Sequence, residues 1–390
     1  MKIAMFTDSY YPAVDGVVVS LTTTSRELKK RGHEVVVFAP EPTDGDVRDP
    51  PDRVVWLPAH AFKGYSGYRS ALFPSSIVSQ IKRERPDIIH SHGISFAGVQ
   101  ALLASRNTGI PNLLTYHTML AEAADHYAPP ILPVSVIVRL GWIYQRNFLK
   151  RPHVVITPTK AIMEELKEHG VRTKRWEVMP TGVDCNRFSP SVSGKAIRER
   201  YGLGKEKVIL TVGRIAKEKN LELLLRGFSE LSRKEEGLRL LVAGTGPAAS
   251  EYKEMAERMG LGKSAIFPGF IPDTELASYY AASDAFAIAS KFETQGIVAL
   301  EAMASGRPVA AINSRVFNET IKDGISGYLF EDTPESCAEA LRKAIHDVDR
   351  TKDAALKTAV DMSLEKCVGE LIGLYDQLLS RTKPSLLLSL

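Results

Sequence analysis

Residues 292–309 read Phe292-Glu293-Thr294-Gln295-Gly296-Ile297-Val298-Ala299-Leu300-Glu301-Ala302-Met303-Ala304-Ser305-Gly306-Arg307-Pro308-Val309. Runs apolar at every position flank the stretch, at 285–289 before it and 309–312 after it. Such runs belong to strands buried on both faces, so the sequence predicts a strand, a turn at Gly296, a helix and a parallel strand. Outward from there the alternation continues in both directions. Further strand runs fall at 208–212, 240–243, 265–267 and 328–330, and nearer the N-terminus at 3–6, 35–38, 54–57, 87–90, 113–116, 154–157 and 176–179. Amphipathic stretches such as 21–31, 96–106, 221–232 and 335–347 separate them. That pattern is an α/β fold of two Rossmann-like doubly wound domains in series. A pause in the strands after Pro190 sets the expected boundaries: 1–190, 191–362 and a C-terminal helical segment, 363–390, that could cross back to the first domain. Doubly wound sheets bind ligands outside the carboxyl ends of their strands, so the two domains are expected to face a cleft that is the working site.

The chain has 390 residues, 44% of them hydrophobic and 25% charged, with a formal net charge of +4. This balance excludes a disordered, collagenous or disulfide-stapled chain, and the positive excess is too dilute for a nucleic-acid binder. Cys185, Cys337 and Cys367 form no Cys-x-x-Cys pair, which leaves zinc and redox readings without support. The stretch 133–149 is apolar but carries Arg139 and Arg146, so no spanning helix is expected. The expected location is cytoplasmic, with contact to a membrane surface left open.

Within the quoted stretch, Gly296 opens a helix whose unpaired N–H groups and positive dipole end suit a phosphate. Glu293 precedes that helix and Glu301 lies about two turns in, at most about 12 Å further on at helical rise. That reach fits the two ends of a nucleotide sugar better than one scissile bond. Taken alone, the same residues also fit a capping carboxylate and a solvated helix face. Arg214 and Lys219, beyond a strand end, suit a diphosphate leaving group whose charge grows in the transition state; a solvated pair at a helix start is the alternative. His90 and His92 share a strand face at a spacing that zinc sites also use, but no third ligand matches, and a structural or lining role is favoured. The acidic pairs Asp44-Gly45-Asp46 and Asp347-Val348-Asp349, the latter placed at a helix end, stand apart from these motifs and are read as solvated. No metal is required.

The Glu293-x7-Glu301 pair followed by Ala302-x-Ala304-x-Gly306-x-Pro308-Val309 resembles the large family of retaining glycosyltransferases with two Rossmann-like domains, the GT-B fold. Gly213-Arg214-Ile215-Ala216-Lys217-Glu218-Lys219-Asn220, Ala243-Gly244-Thr245-Gly246-Pro247, Pro180-Thr181-Gly182-Val183-Asp184 and Pro12-Ala13-Val14-Asp15-Gly16-Val17 resemble further landmarks of that family. The resemblance implies a retaining hexosyltransferase whose donor is a nucleotide diphosphate sugar, a UDP- or GDP-hexose, with no other cofactor. It implies that Glu293 holds the sugar hydroxyls, Glu301 the ribose hydroxyls, and Arg214 and Lys219 the diphosphate, with backbone N–H groups from Gly296, Ile297 and Val298. It puts Phe270 and Ile271 near the base, Gly16 near the donor phosphate, and His117 against the transferred sugar. Asp15-Gly16 stands where many relatives carry two glycines. No covalent nucleophile is evident, and the implied route is same-face displacement with the leaving phosphate as base.

The stretch 133–151 holds Arg139, Arg146, Lys150 and Arg151 and no acid, interleaved with Leu140, Trp142, Ile143 and Tyr144. Basic and aromatic residues on an amphipathic helix suit an anionic membrane surface. A core helix with a basic solvent face fits the same residues. Asp8-Ser9-Tyr10-Tyr11-Pro12, Tyr116-His117-Thr118-Met119 and Glu293-Thr294-Gln295-Gly296 resemble the glycosyldiacylglycerol-synthase branch of the family. That implies a diacylglycerol-type lipid acceptor and a peripheral position on the cytoplasmic face of a membrane. A soluble sugar or sugar-phosphate acceptor, or a sugar-nucleotide epimerase, is the alternative.

Overall fold

The computed structural model describes residues 1–12, 15–42, 52–61, 69–71, 76–117 and 133–382. Ala13-Val14, Asp44-Gly45-Asp46 and Thr118-Met119 lie outside them. Contacts divide the chain into two compact units, Met1–Gly182 with Leu364–Leu390, and Val183–Ser363.

The first unit carries β1 (Lys2–Phe6), β2 (Glu34–Pro40), β3 (Arg53–Leu57), β4 (Ala59–Ala61), β5 (Arg69–Ala71), β6 (Ile88–Ser91), β7 (Asn112–Thr115), β8 (Val154–Thr157) and β9 (Trp176–Val178). Seven of them form a parallel sheet in the order β3-β2-β1-β6-β7-β8-β9. The order turns back on itself between β1 and β6, where Met5 lies opposite Val37 on one side and His90 on the other. β4 and β5 make a small antiparallel pair that no sequence periodicity announced.

Alternation along the strands decides what covers each face. Ile3, Met5, Val35 and Val37 pack with Leu364, Val368, Leu371, Leu374, Tyr375 and Leu378. These six recur at helical spacing on the Leu364–Thr382 helix, so the C-terminal segment closes one face of the first sheet. Arg31 Nη2 anchors its start, donating to Glu365 O at 2.6 Å. Ala4, Phe6, Val36 and Phe38 point the other way, onto Ile77, Ile81, Ala97, Ala101 and Ala104.

The second unit contains β10 (Lys207–Val212), β11 (Leu238–Ala243), β12 (Ala265–Gly269), β13 (Ala285–Ile288), β14 (Val309–Ile312) and β15 (Tyr328–Phe330). They form a parallel sheet in the order β12-β11-β10-β13-β14-β15. This is the doubly wound order in which the reversal falls between the first and fourth strands. The unit begins at Val183, ahead of the expected boundary after Pro190, because Val183 N–H donates to Met362 O at 3.0 Å. Phe188 then packs edge-on against Tyr280, ring centroids 5.6 Å apart. The helices Lys195–Arg200, Arg315–Thr320 and Val348–Asp361 were not read from the sequence. Asp347 and Asp349 do not end one helix together: Asp347 follows Pro334–His346 and accepts from Tyr328 Oη at 3.0 Å, while Asp349 sits in the first turn of the next helix. A helix start favours an acid there.

Candidate active site

In the second unit the strand order reverses between β10 and β13, the kind of point at which such sheets take ligands. β10 runs directly into Gly213 and Arg214, and β13 into the turn that carries Glu293. Backbone hydrogen bonds join three strand-end loops: Gly213 N–H to Ala243 O at 3.0 Å, Ile215 N–H to Thr245 O at 2.9 Å, and Gly244 N–H to Gly269 O at 2.8 Å. A Cβ on Gly244, whose φ is +139°, would lie 1.9 Å from Gly213 O. Only glycine allows that approach, so the Gly-x-Gly turn is what holds the Arg214 loop in place.

Lys219 Nζ donates to Glu293 Oε1 at 2.7 Å, and Arg214 Nη2 donates to Glu218 Oε1. Each cation that the sequence reading gives to a diphosphate is therefore already held by a carboxylate. Glu301 is only 5% exposed, which removes the solvated-face alternative. Tyr280 Oη donates to Glu301 Oε2 at 2.8 Å and to Val298 O at 3.1 Å. Burial raises the Glu301 carboxyl to about 7, against the Tyr280 hydrogen bond and the charge of Arg187. Sequence reasoning did not name Tyr280, because only the fold brings its helix, Asp273–Ala282, beside Ile297–Ala304. Gly296 caps the latter helix at φ +73°, and a Cβ there would lie 2.6 Å from Phe317 Cε1. As cap it brings no side chain to the first-turn N–H groups of Ile297 and Val298. Phe270, just past β12, is 62% exposed, and Ile271 beside it packs on the core.

In the first unit the reversal lies between β1 and β6. Asp8 follows β1 and accepts from Ala97 N–H at 2.9 Å, and burial raises its carboxyl to about 6. Asp15 Oδ1 accepts from Val17 N–H and Val18 N–H, each at 2.9 Å, while Ser9 Oγ donates to Asp15 Oδ2 at 2.8 Å. The Asp15 carboxylate thus sits on the amides that open the Gly16–Lys30 helix, beside the Gly16 expected near a phosphate. The histidines form a row. His90 bonds through both nitrogens, Nδ1 to Tyr375 Oη and Nε2 to Thr115 Oγ1, each at 2.7 Å, which occupies it structurally. His92 Nδ1 lies 3.1 Å from His117 Nε2, and those two rings stack at 11°. Burial holds His90 down to about 3 and His117 down to about 4, Asp15 opposing in the latter, so both rings are neutral. Tyr375 is the second residue that sequence reasoning missed.

The expected amphipathic helix is Val134–Leu149. Val136, Leu140, Ile143 and Tyr144 are exposed on it, Leu140 by 53%, as are Arg139 and Arg146, with Lys150 and Arg151 just beyond. Trp142 departs from the expectation: it is 9% exposed and stacks under His169, ring centroids 3.8 Å apart. Among the described residues no helix is long and apolar enough to cross a membrane, and no group of three or more His, Cys, Asp or Glu could hold a metal ion.

Two family models match, Glycosyltransferase Family 4 over residues 14–187 and Glycosyl transferases group 1 over residues 194–359. The alpha-monoglucosyldiacylglycerol synthase of Streptococcus pneumoniae is 32% identical over 378 residues, covering 94% of this chain and 83% of that protein. The chain belongs to the group 1 glycosyltransferases. This glycosyltransferase is also similar to the GDP-mannose-dependent alpha-mannosyltransferase of Mycolicibacterium smegmatis, 27% identical over 390 residues with 98% of each chain covered. Among solved structures, sucrose-phosphate synthase from Thermosynechococcus elongatus superposes with a TM-score of 0.79 at 19% identity, covering 97% of this glycosyltransferase and 99% of that chain. HepE of Anabaena, in complex with UDP and glucose, gives 0.77 at 18%, covering 97% and 100%. At such identities the likeness is one of fold, and the fold is GT-B.

Proposed function

We propose that this glycosyltransferase moves a hexose from a UDP- or GDP-hexose to a diacylglycerol-type lipid at a membrane surface, with retention at the sugar carbon. The Val183–Ser363 unit takes the donor and the Met1–Gly182 unit the acceptor. Glu293 serves the sugar hydroxyls and Glu301 the ribose hydroxyls. Arg214 and Lys219 take the diphosphate, with the N–H groups of Gly296, Ile297 and Val298. Phe270 and Ile271 lie toward the base, Gly16 toward the donor phosphate, and His117 toward the sugar. The bond from the sugar carbon to the phosphate oxygen breaks as the bond to the acceptor oxygen forms on the same face. The acceptor proton goes to the departing phosphate, whose growing charge fixed cations stabilise.

The observation that carries the lipid reading is the exposed stripe of Val136, Leu140 and Ile143 alternating with Arg139 and Arg146. Water disfavours such a stripe, and an anionic bilayer takes both halves of it. With Lys150 and Arg151 the basic residues supply about 1 kcal/mol each near an anionic surface. The synthase names of relatives in Streptococcus pneumoniae and Acholeplasma laidlawii support the same acceptor. A thermal-shift panel of UDP, GDP and ADP tests the donor part: stabilisation by UDP or GDP but not ADP is expected, and equal response to all three would contradict it.

A further inference from the structure

His92 is 3% exposed, follows the end of β6, and has one nitrogen without a partner among the described residues. Its Nδ1 faces His117 Nε2 at 3.1 Å, and Nε2 is the nitrogen without a partner there. Among the described residues, the titratable groups around this pair are His90 on the same strand, Asp15 at the head of the Gly16–Lys30 helix, and Tyr375 on the Leu364–Thr382 helix beyond His90. Burial holds His92 well below the usual histidine range, with the neighbouring imidazoles acting in the same direction, so the dyad consists of two neutral rings.

Two neutral imidazoles sharing one N···N contact have locked tautomers. If the shared proton is on His92 Nδ1, then His117 Nε2 is a bare acceptor and the His117 proton is on Nδ1. If the shared proton is on His117 Nε2, then His92 must carry its own proton on Nε2, as a buried N–H with no partner. Orphaned buried N–H groups are rarer than under-satisfied acceptors. We infer that His92 is a positioning residue for His117, donating its Nδ1–H to His117 Nε2 and so fixing the His117 proton on Nδ1. The consequence for catalysis rests on the proposed place of His117 against the sugar. There it serves as a neutral hydrogen-bond donor through Nδ1, and Nε2 is withheld from general-base work.

Long-range ¹H–¹⁵N spectra of the histidine-labelled full chain read the tautomers directly. A bare Nε2 and protonated Nδ1 on His117 are expected, with a protonated Nδ1 on His92; a protonated Nε2 on His117 would overturn the inference. His92→Phe keeps a stacking ring without an N–H. Its turnover should fall about tenfold, the value of one hydrogen bond, with the donor KM unchanged. The acid limb of its pH–rate profile should move to higher pH, because the lost donor had stabilised the neutral form of His117. His92→Gln, whose amide can donate, should restore both in part. An unmoved limb and an unchanged rate in His92→Phe would count against the positioning role, and if that variant fails to fold, the spectra of the native chain decide. Full transfer by His117→Ala would remove the sugar-facing role of His117 while leaving the tautomer result standing.

Discussion

Lys219 and Glu293 are ion-paired, Nζ to Oε1 at 2.7 Å, so the cation assigned to the diphosphate is held by the carboxylate assigned to the sugar. In the proposed assignment donor binding brings an exchange of partners: the diphosphate competes with Glu293 for Lys219, and the sugar hydroxyls compete with Lys219 for Glu293.

The exchange separates two variants. Glu293→Ala should abolish transfer while leaving nucleoside diphosphate affinity unchanged or tighter, since it removes a competitor for Lys219. Lys219→Ala should weaken the diphosphate by roughly tenfold to a hundredfold, as expected for one charge-assisted hydrogen bond. Titration calorimetry with UDP and GDP reads both, and equal loss of affinity in the two variants would contradict the assignment.

Glu301 carries a stability cost with a definite sign. Its folded-state value of about 7 lies above the ordinary 4.5, so the native state binds the proton more tightly and stability falls as pH rises through that window. Glu301→Gln should therefore unfold at higher temperature than the native chain at pH 8, by up to about 3 kcal/mol in stability, with no gain near pH 4.5. Donor affinity should fall in the same variant. Thermal unfolding at both pH values checks it; identical melting at pH 8 would remove the buried-carboxylate argument.

At Gly296 two penalties coincide, a left-handed φ of +73° and a Cβ that would meet the Phe317 ring at 2.6 Å. Gly296→Ala should cost about 1–3 kcal/mol and displace the start of the Ile297–Ala304 helix. Combining it with Phe317→Leu should recover only the steric part. Denaturant unfolding of the single and double variants measures the split.

Much of the fold is legible in the sequence. Short runs rich in apolar and β-branched residues located all seven strands of one parallel sheet and all six of the other, although some, such as 87–90 and 176–179, carry polar residues. Alternation alone could not reveal β4 and β5, which are three residues each. Glu293, Lys219 and Arg214 stood out through the motifs that resemble the family, because by spacing alone a capping carboxylate and a solvated pair fit them as well. Tyr280 and Tyr375 did not: each meets its partner, Glu301 or His90, across elements that only the fold brings together. Trp142 misled because tryptophan on a basic amphipathic helix suits a bilayer equally well by composition. Its stacking against His169, 3.8 Å between centroids, is a tertiary fact.

Membrane docking should follow the exposed stripe and not Trp142. Leu140→Asp and Arg139→Glu should each reduce sedimentation with anionic liposomes, and salt should weaken the native chain's binding. Both variants should retain the native melting temperature, since the two side chains are exposed. Binding indifferent to lipid charge and salt would sink the surface reading.

The most direct test of the central claim follows a labelled hexose. UDP-[¹⁴C]glucose and GDP-[¹⁴C]mannose are each incubated with the protein and mixed vesicles of diacylglycerol and anionic phospholipid, then extracted with organic solvent. Label should enter the organic phase from one of the two donors, with release of one nucleoside diphosphate per sugar and none with Glu293→Ala. Label confined to the aqueous phase in all mixtures, despite nucleotide release, would contradict a lipid acceptor.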